Sequence, residues 1–213
     1  MKKLFPMMLD LEGVKVTVFG GGEVARRKVY AMLDTGANIK VVSPEIKMDM
    51  RNLISIGKID YICEEYTSEH LVGSMLVFAC TDNPEVNDQI VQYARSIGVL
   101  VNRVDDPDDC DFVLPSFFRR GDLTIAVSTA GDSPALSHQL REKLKAEFPS
   151  DWEQGMEIIR EAREKVKNIC QDKKKRREIL IKFGSEDVVA LIEARQWDGL
   201  NRLVAGYIAS LEA

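Results

Sequence analysis

Short apolar runs alternate with stretches of three- and four-residue apolar spacing through the first half of the chain. Val14, Val16, Val18 and Phe19 read as a short strand, rich in β-branched residues and bounded by glycine. A helical pattern follows from about Glu23 to Leu33, with Gly36 as its stop. Asn38 to Val42 predicts a second strand, Met48 to Ile56 a helix, and Asp60 to Glu64 an alternating strand. Met75 to Cys80 is continuously apolar, as expected of a strand buried on both faces of a parallel sheet. A helix from Glu85 to Ser96 closes at Gly98, and Val99 to Asn102 gives a further buried strand. Phe5 to Leu11 reads as an extended lead-in. Strand alternating with helix predicts a doubly wound α/β fold, whose ligand crevice lies at the carboxyl ends of the strands. The loops carrying Gly20 to Glu23, Ser43 to Glu45, Thr81 to Pro84 and Asn102 to Pro107 are therefore expected to meet at one edge.

After Pro107 the pattern changes. Phe112 to Phe118 looks extended, and Leu123 to Ser128 is a second strand after a tight turn at Gly121-Asp122, which predicts a hairpin. Ser133-Pro134 supplies an N-cap followed by proline at the first helical position, opening a helix to about Phe148. Trp152, Met156, Ile159, Ala162, Val166 and Ile169 continue with helical spacing, and Gly184-Ser185 separates two further helices. The basic run Lys173 to Arg177 is read as a solvated helix face.

Composition narrows the function class. The 213 residues carry a net charge of −5, which argues against a general nucleic-acid binder or a membrane-surface role. Cys63, Cys80, Cys110 and Cys170 are widely spaced, which suggests scattered core thiols in a reducing compartment and not a disulfide framework or zinc site. The first residues are broken by Pro6 and Asp10 and do not read as a signal peptide, and no apolar run is long enough to span a bilayer. A cytoplasmic protein is expected.

The candidate chemistry begins at the first strand's end. Gly20 to Ala25 fits G-x-G-x-x-A between a strand and a helix. Gly20 would permit the tight turn, Gly22 would let the backbone approach a pyrophosphate, and Ala25 is small enough for helix to pack on strand. The N–H groups at the helix start then face the anion. The second strand ends in Ser43 instead of the acid that grips ribose hydroxyls, with Glu45 two residues later, and no arginine sits there for a 2′-phosphate. NAD is favoured over NADP on that ground.

The runs Gly20 to Lys28, Thr35 to Ala37, Val42 to Pro44, Ala79 to Asp82, Asn87, Asn102 to Pro107, Leu114 to Ser116, Ala126 to Ala135 and Leu140 to Leu144 occur in order. On these the chain resembles the siroheme synthase family over roughly residues 4 to 183, and more narrowly its precorrin-2 dehydrogenases. The resemblance implies an N-terminal Rossmann domain with a parallel sheet (1–113), a central dimerisation hairpin and helix (114–149) and a small C-terminal helical domain (150–213). It implies oxidation of precorrin-2 to sirohydrochlorin with NAD by a homodimer, with Fe2+ as a further substrate in members that also insert iron. The length leaves no room for the methyltransferase domain of the fused enzymes. It places cofactor contacts at Gly20, Gly22, Glu23 and Val24, at Ser43, Pro44 and Glu45, and at Thr81, and the key acid at Asp105. Asp106 adds a second acid where relatives often have a small residue, and Thr129 stands where many have serine.

Asp105 also has a reading of its own. A carboxylate at the end of a parallel strand could accept a proton or bind pyrrole nitrogens, or Asp105 and Asp106 could cap a turn before Pro107. His138 is an alternative base or metal ligand, although a lone helix histidine is more often structural. Arg119, Arg120, Arg141 and Lys143 could meet substrate carboxylates. The competing class is a non-enzymatic NAD-sensing module, which would leave the hairpin and helical tail without a purpose.

Overall fold

The computed structural model describes residues 3–211 and divides at Leu114/Pro115 into two compact units. The first unit holds five parallel strands, β1 (Lys15–Phe19), β2 (Asn38–Val42), β3 (Asp60–Ile62), β4 (Leu76–Ala79) and β5 (Leu100–Arg103), in the order β3-β2-β1-β4-β5. The chain winds outward from β1 to β3 and then returns to the other side of β1. The order therefore reverses between β1 and β4, the point at which a doubly wound sheet places its ligand crevice. Phe19 stands opposite both Val42 and Ala79, and Ala79 opposite Arg103, so four strands end nearly level.

Alternation along these strands divides the core between the two sheet faces. Val16, Val18, Ile39, Val41 and Phe78 pack with Ala25, Val29 and Met32 of α1 (Glu23–Met32) and with Met50 and Leu53 of α2 (Met48–Ser55). Phe19, Val42, Val77, Ala79 and Val101 pack with Ile90, Val91 and Ala94 of α3 (Pro84–Ser96). A sheet covered on both faces needs the nearly continuous apolar strands that the sequence shows. The boundaries are set locally. Gly36 ends the first helical stretch at φ 73°, and Asn83 caps α3 by accepting from the Glu85 N–H at 2.9 Å.

Three details differ from the sequence reading. The third strand stops at Ile62, and Cys63 beyond it is exposed, so it is not a core thiol; Cys80, Cys110 and Cys170 are buried. A 3-10 turn at Ser68–Leu71, closed by reciprocal hydrogen bonds between Thr67 and His70, has no apolar period to announce it. A second 3-10 turn forms at Pro107–Asp109.

The second unit opens with the antiparallel hairpin β6 (Ser116–Arg120) and β7 (Leu123–Val127), turning through Gly121 at φ 56°. α4 (Pro134–Glu147) packs on it, and Ser133 caps that helix by accepting from the Leu136 N–H at 3.3 Å. α5 (Trp152–Ile169), α6 (Lys173–Lys182), α7 (Glu186–Glu193) and α8 (Trp197–Ala209) share a core of Ala162, Val166, Ile179, Val188, Ile192, Leu200 and Val204. Gly155 lets α7 approach, since a Cβ there would lie 2.9 Å from the Ile192 side chain. Lys173, Lys174, Lys175 and Arg177 are exposed on α6, as a solvated face requires. Among the described residues no helix is long and apolar enough to cross a membrane.

Both tryptophans, Trp152 and Trp197, border the helical core and report on it. Leu200→Ala, at a fully buried position, should cost about 2–5 kcal/mol. Denaturant unfolding followed by tryptophan fluorescence measures this.

Candidate active site at the carboxyl edge of the sheet

The glycine turn is held by its neighbours' backbones. Gly20 adopts φ 107°, and a Cβ on it would fall 2.4 Å from the Cys80 carbonyl oxygen. At Gly21 a Cβ would fall 1.8 Å from the Glu45 carbonyl oxygen, and the Gly21 carbonyl accepts from the Lys47 N–H at 3.2 Å. The middle glycine, a free position in the sequence motif, is thus under the tightest steric demand. Gly22 is different. It caps α1 in an extended conformation, and a Cβ there would meet nothing within 4 Å. Open space in front of a helix start without a side-chain cap suits an approaching diphosphate, because the first N–H groups of α1 lack intrahelical partners.

An acid at such a turn would repel that anion, but Glu23 is neutralised. Arg26 Nε donates to both its carboxylate oxygens at 3.1 Å, and Lys47 Nζ pairs with it at 2.9 Å. Arg26 and then Lys47 hold the Glu23 carboxyl down to about 2. Val24 behind it is half-buried against the α1 face of the core.

After β2 the chain folds back on the turn. Ser43 is buried, its carbonyl accepting from the Tyr61 hydroxyl at 2.8 Å, while Pro44 and Glu45 are exposed. Burial and then the neighbouring Cys63 thiol push the Tyr61 phenol up to about 12. Ser43 is thereby fixed in the loop, and Glu45 presents the acid at this end of the crevice.

After β4 and β5 one hydrogen-bonded chain crosses the edge. Asn87 of α3, fully buried, accepts from the Thr81 N–H at 3.2 Å and from the Thr81 hydroxyl at 2.8 Å. Its amide nitrogen donates to the Thr81 carbonyl at 3.1 Å and to Asp105 Oδ1 at 3.0 Å. Arg103 grips Asp105 bidentately, Nε to Oδ1 and Nη2 to Oδ2, both at 2.9 Å. Asp106 turns elsewhere and caps the following 3-10 turn by accepting from the Asp108 N–H at 3.1 Å. The two adjacent acids, alternatives in the sequence, therefore separate into a carboxylate held by Arg103 and Asn87 and a turn cap. Arg103, and then the backbone and Asn87 hydrogen bonds, hold the Asp105 carboxyl below its ordinary 3.8 against the opposing effect of burial. Stabilisation from a lowered carboxylate is complete above that ordinary value and is lost as pH falls through the lower folded one. Cys80, beside Gly20, is raised to about 12 by burial and is a neutral thiol.

Candidates in the second unit are engaged locally. The Thr129 hydroxyl donates to the Ser133 carbonyl at 3.0 Å and accepts from the Ser133 N–H at 3.1 Å, bracing the loop before α4. Arg120 Nε donates to the Phe148 carbonyl at 2.9 Å, Arg119 lies over the Phe117 ring, and Arg141 pairs with Glu142. His138 is exposed on α4. Among the described residues no group of three or more His, Cys, Asp or Glu is placed to hold a metal ion. Sequence reasoning missed Arg103 as a site residue, and it knew Asn87 only as part of a motif.

Comparison with known proteins gives two family matches. A model described as putative NAD(P)-binding covers residues 7–116, and one described as sirohaem biosynthesis protein central covers 120–147. The chain is 38% identical over 193 residues to siroheme synthase 2 of Aeromonas salmonicida, covering 90% of this chain and 40% of that one. It is 35% identical over 192 residues to the siroheme synthase of Neisseria meningitidis serogroup C, with the same 90% and 40% coverage. The chain thus spans about two fifths of the length of these relatives. The solved structure of SirC, precorrin-2 dehydrogenase, superposes with a TM-score of 0.78 at 25% identity, over 97% of this chain and 100% of that one.

Gly21→Ala tests the turn. The clash is with backbone, which cannot swing aside, so the variant should lose about 1–3 kcal/mol and its affinity for NAD together. Thermal unfolding and isothermal titration measure both, and unchanged values would show that the turn is not held by this approach.

Proposed function

The chain belongs to the siroheme synthase family, and from that premise we propose that it oxidises precorrin-2 to sirohydrochlorin with NAD. The supporting observation is the continuous run of contacts along one sheet edge, from Gly20 through Thr81 and Asn87 to Asp105. That run links the nucleotide turn to an acid in a domain matched by an NAD(P)-binding family.

In this reading Gly20, Gly22, Glu23 and Val24 hold the diphosphate through backbone N–H groups. Ser43, Pro44 and Glu45 meet the ribose, and the Glu45 acid disfavours a 2′-phosphate. Thr81 borders the cofactor at the switch point. NAD supplies the hydride acceptor. Asp105 is the group that meets the tetrapyrrole.

We assign residues 1–113 to the cofactor domain, 114–149 to dimerisation and 150–213 to the helical domain. Leu136 and Leu140, one turn apart on α4, are 50% and 39% exposed and offer an apolar stripe to a second copy. Isologous pairing is the commonest way to cover such a face. The wide spacing of the cysteines along the chain fits a reducing, cytoplasmic setting. Sirohydrochlorin is also the substrate for iron insertion. Ferrochelation with Fe2+ in the absence of NAD reads that step separately from oxidation.

Asp105→Ala should slow single-turnover oxidation of precorrin-2 about a hundredfold, as expected for loss of one preorganised electrostatic contact, while NAD affinity stays unchanged. Asp106→Ala should cost about 0.5–2 kcal/mol of stability through its lost cap and leave the rate nearly intact. Rates near normal for Asp105→Ala would remove that residue from the mechanism. Sedimentation across micromolar concentrations should give a dimer, and Leu136→Glu with Leu140→Glu should give a monomer. A wild-type monomer would exclude the pairing.

A further inference from the structure

Arg103 is the last residue of β5, 9% exposed, in a position where an apolar residue would complete the strand. Its guanidinium occupies both oxygens of Asp105, and its remaining edge faces Asp88 of α3 and Asp109 Oδ2, the latter at 3.5 Å. A carboxylate has about four acceptor positions. Asp105 Oδ1 already accepts two hydrogen bonds, from Arg103 at 2.9 Å and Asn87 at 3.0 Å, and Oδ2 accepts one from Arg103 at 2.9 Å. A backbone N–H also reaches this carboxylate, and the Asp105 side chain is still 29% exposed.

We propose that Arg103 is the positioning residue of this site: it holds Asp105 as a fixed anion whose exposed edge accepts a pyrrole N–H of the substrate. Asp105 then orients the ring system and stabilises positive charge developing on it, while the released proton goes to water. This rests on the precorrin-2 reading above and decides between the two roles that the sequence left open for Asp105.

An efficient base has a pKa near the working pH, reached by burial or by a neighbouring like charge. Asp105 is arranged the opposite way, since a bidentate guanidinium favours its charged form. Around it, Asn87 of α3 donates to its carboxylate, Asp88 of α3 and Asp109 of the 3-10 turn pair with Arg103, and the neutral Cys80 thiol lies after β4. Asp106, next in the chain, is engaged with the Asp108 N–H. Apart from Asn87, these neighbours either carry no charge or repel a carboxylate. Arg103 is therefore the main group that lowers the Asp105 carboxyl, and without it burial would push that carboxyl upward.

The test combines a carboxyl titration of the full-length protein by carbon-13 NMR with the pH profile of single-turnover oxidation. In the wild type, Asp105 should titrate below the usual carboxylate range and the rate should be level from about pH 8 to about pH 5. In Arg103→Met the Asp105 titration should rise into that window and an acid limb should appear at the same pH. The rate at about pH 5 should fall about tenfold per unit below that titration, with recovery near pH 8. Arg103→Lys, which keeps the charge, should hold the limb low. A wild-type Asp105 that titrates at or above the usual range would overturn the proposal. So would an Arg103→Met that outruns wild type near pH 7, because its carboxylate would then be acting as a stronger base. Should Arg103→Met not fold, the wild-type titration and Arg103→Lys still decide. A wild type that never oxidises precorrin-2 would sink the functional reading and the substrate contact with it, while the titration would separately judge the grip of Arg103.

Discussion

Backbone meeting backbone at Gly20 and Gly21 is the constraint on which the rest of the carboxyl edge depends. Gly20 lies under the Cys80 carbonyl and Gly21 under the Glu45 carbonyl, so the turn after β1 is clasped by the segments that follow β4 and β2. The clasp is possible only because Phe19, Val42 and Ala79 are in register and the three strands end level. Once it forms, α1 leaves in a set direction, with Gly22 open in front of it. The positions of Ser43, Thr81 and, through Asn87, Asp105 then follow. Any side chain at Gly21 would have to displace backbone, which a packed sheet cannot yield cheaply.

Charge at this edge is arranged in closed groups. Glu23 is answered by Arg26 and Lys47, and Arg26 reaches Asp49 at 3.3 Å. Arg103 answers Asp88, Asp105 and Asp109, while Arg95 takes Asp109 and Asp111. The acids around the last strand thus surround a few arginines and do not form an acidic cluster. Exposed pairs of this kind add little to stability. Arg103 is nearly buried, and its pairing with Asp105 lowers that carboxyl.

The second unit rests on a different economy of packing. In it α4 leaves Leu136 and Leu140 exposed, whereas α5 to α8 close a core of their own around Val166 and Leu200. Small residues set the spacing, as Gly155 does against Ile192. The family matches fall on the first unit and on the hairpin–α4 region, and the SirC fold covers both units.

Much of this was legible in the sequence. The apolar runs gave the strands, Gly36 and Ser133 marked helix boundaries, and the glycine motif located the tight turn after β1, because strand burial, capping and left-handed turns are local demands that select residue types. The ordered motifs also identified the family and directed attention to Asp105. Other features depended on residues far apart in the chain. Nothing adjacent to Gly21 in sequence says that Glu45 will press against it. The 3-10 turn at Ser68 lacks a periodic signal, and Cys63 is exposed because β3 stops one residue earlier. Above all, the adjacent acids Asp105 and Asp106 look equivalent along the chain. Only when β5 packs beside β4 and α3 do Arg103 and Asn87 reach one of them and leave the other to cap a turn. A carboxylate's role follows from which donors surround it, and tertiary structure alone assembles those donors.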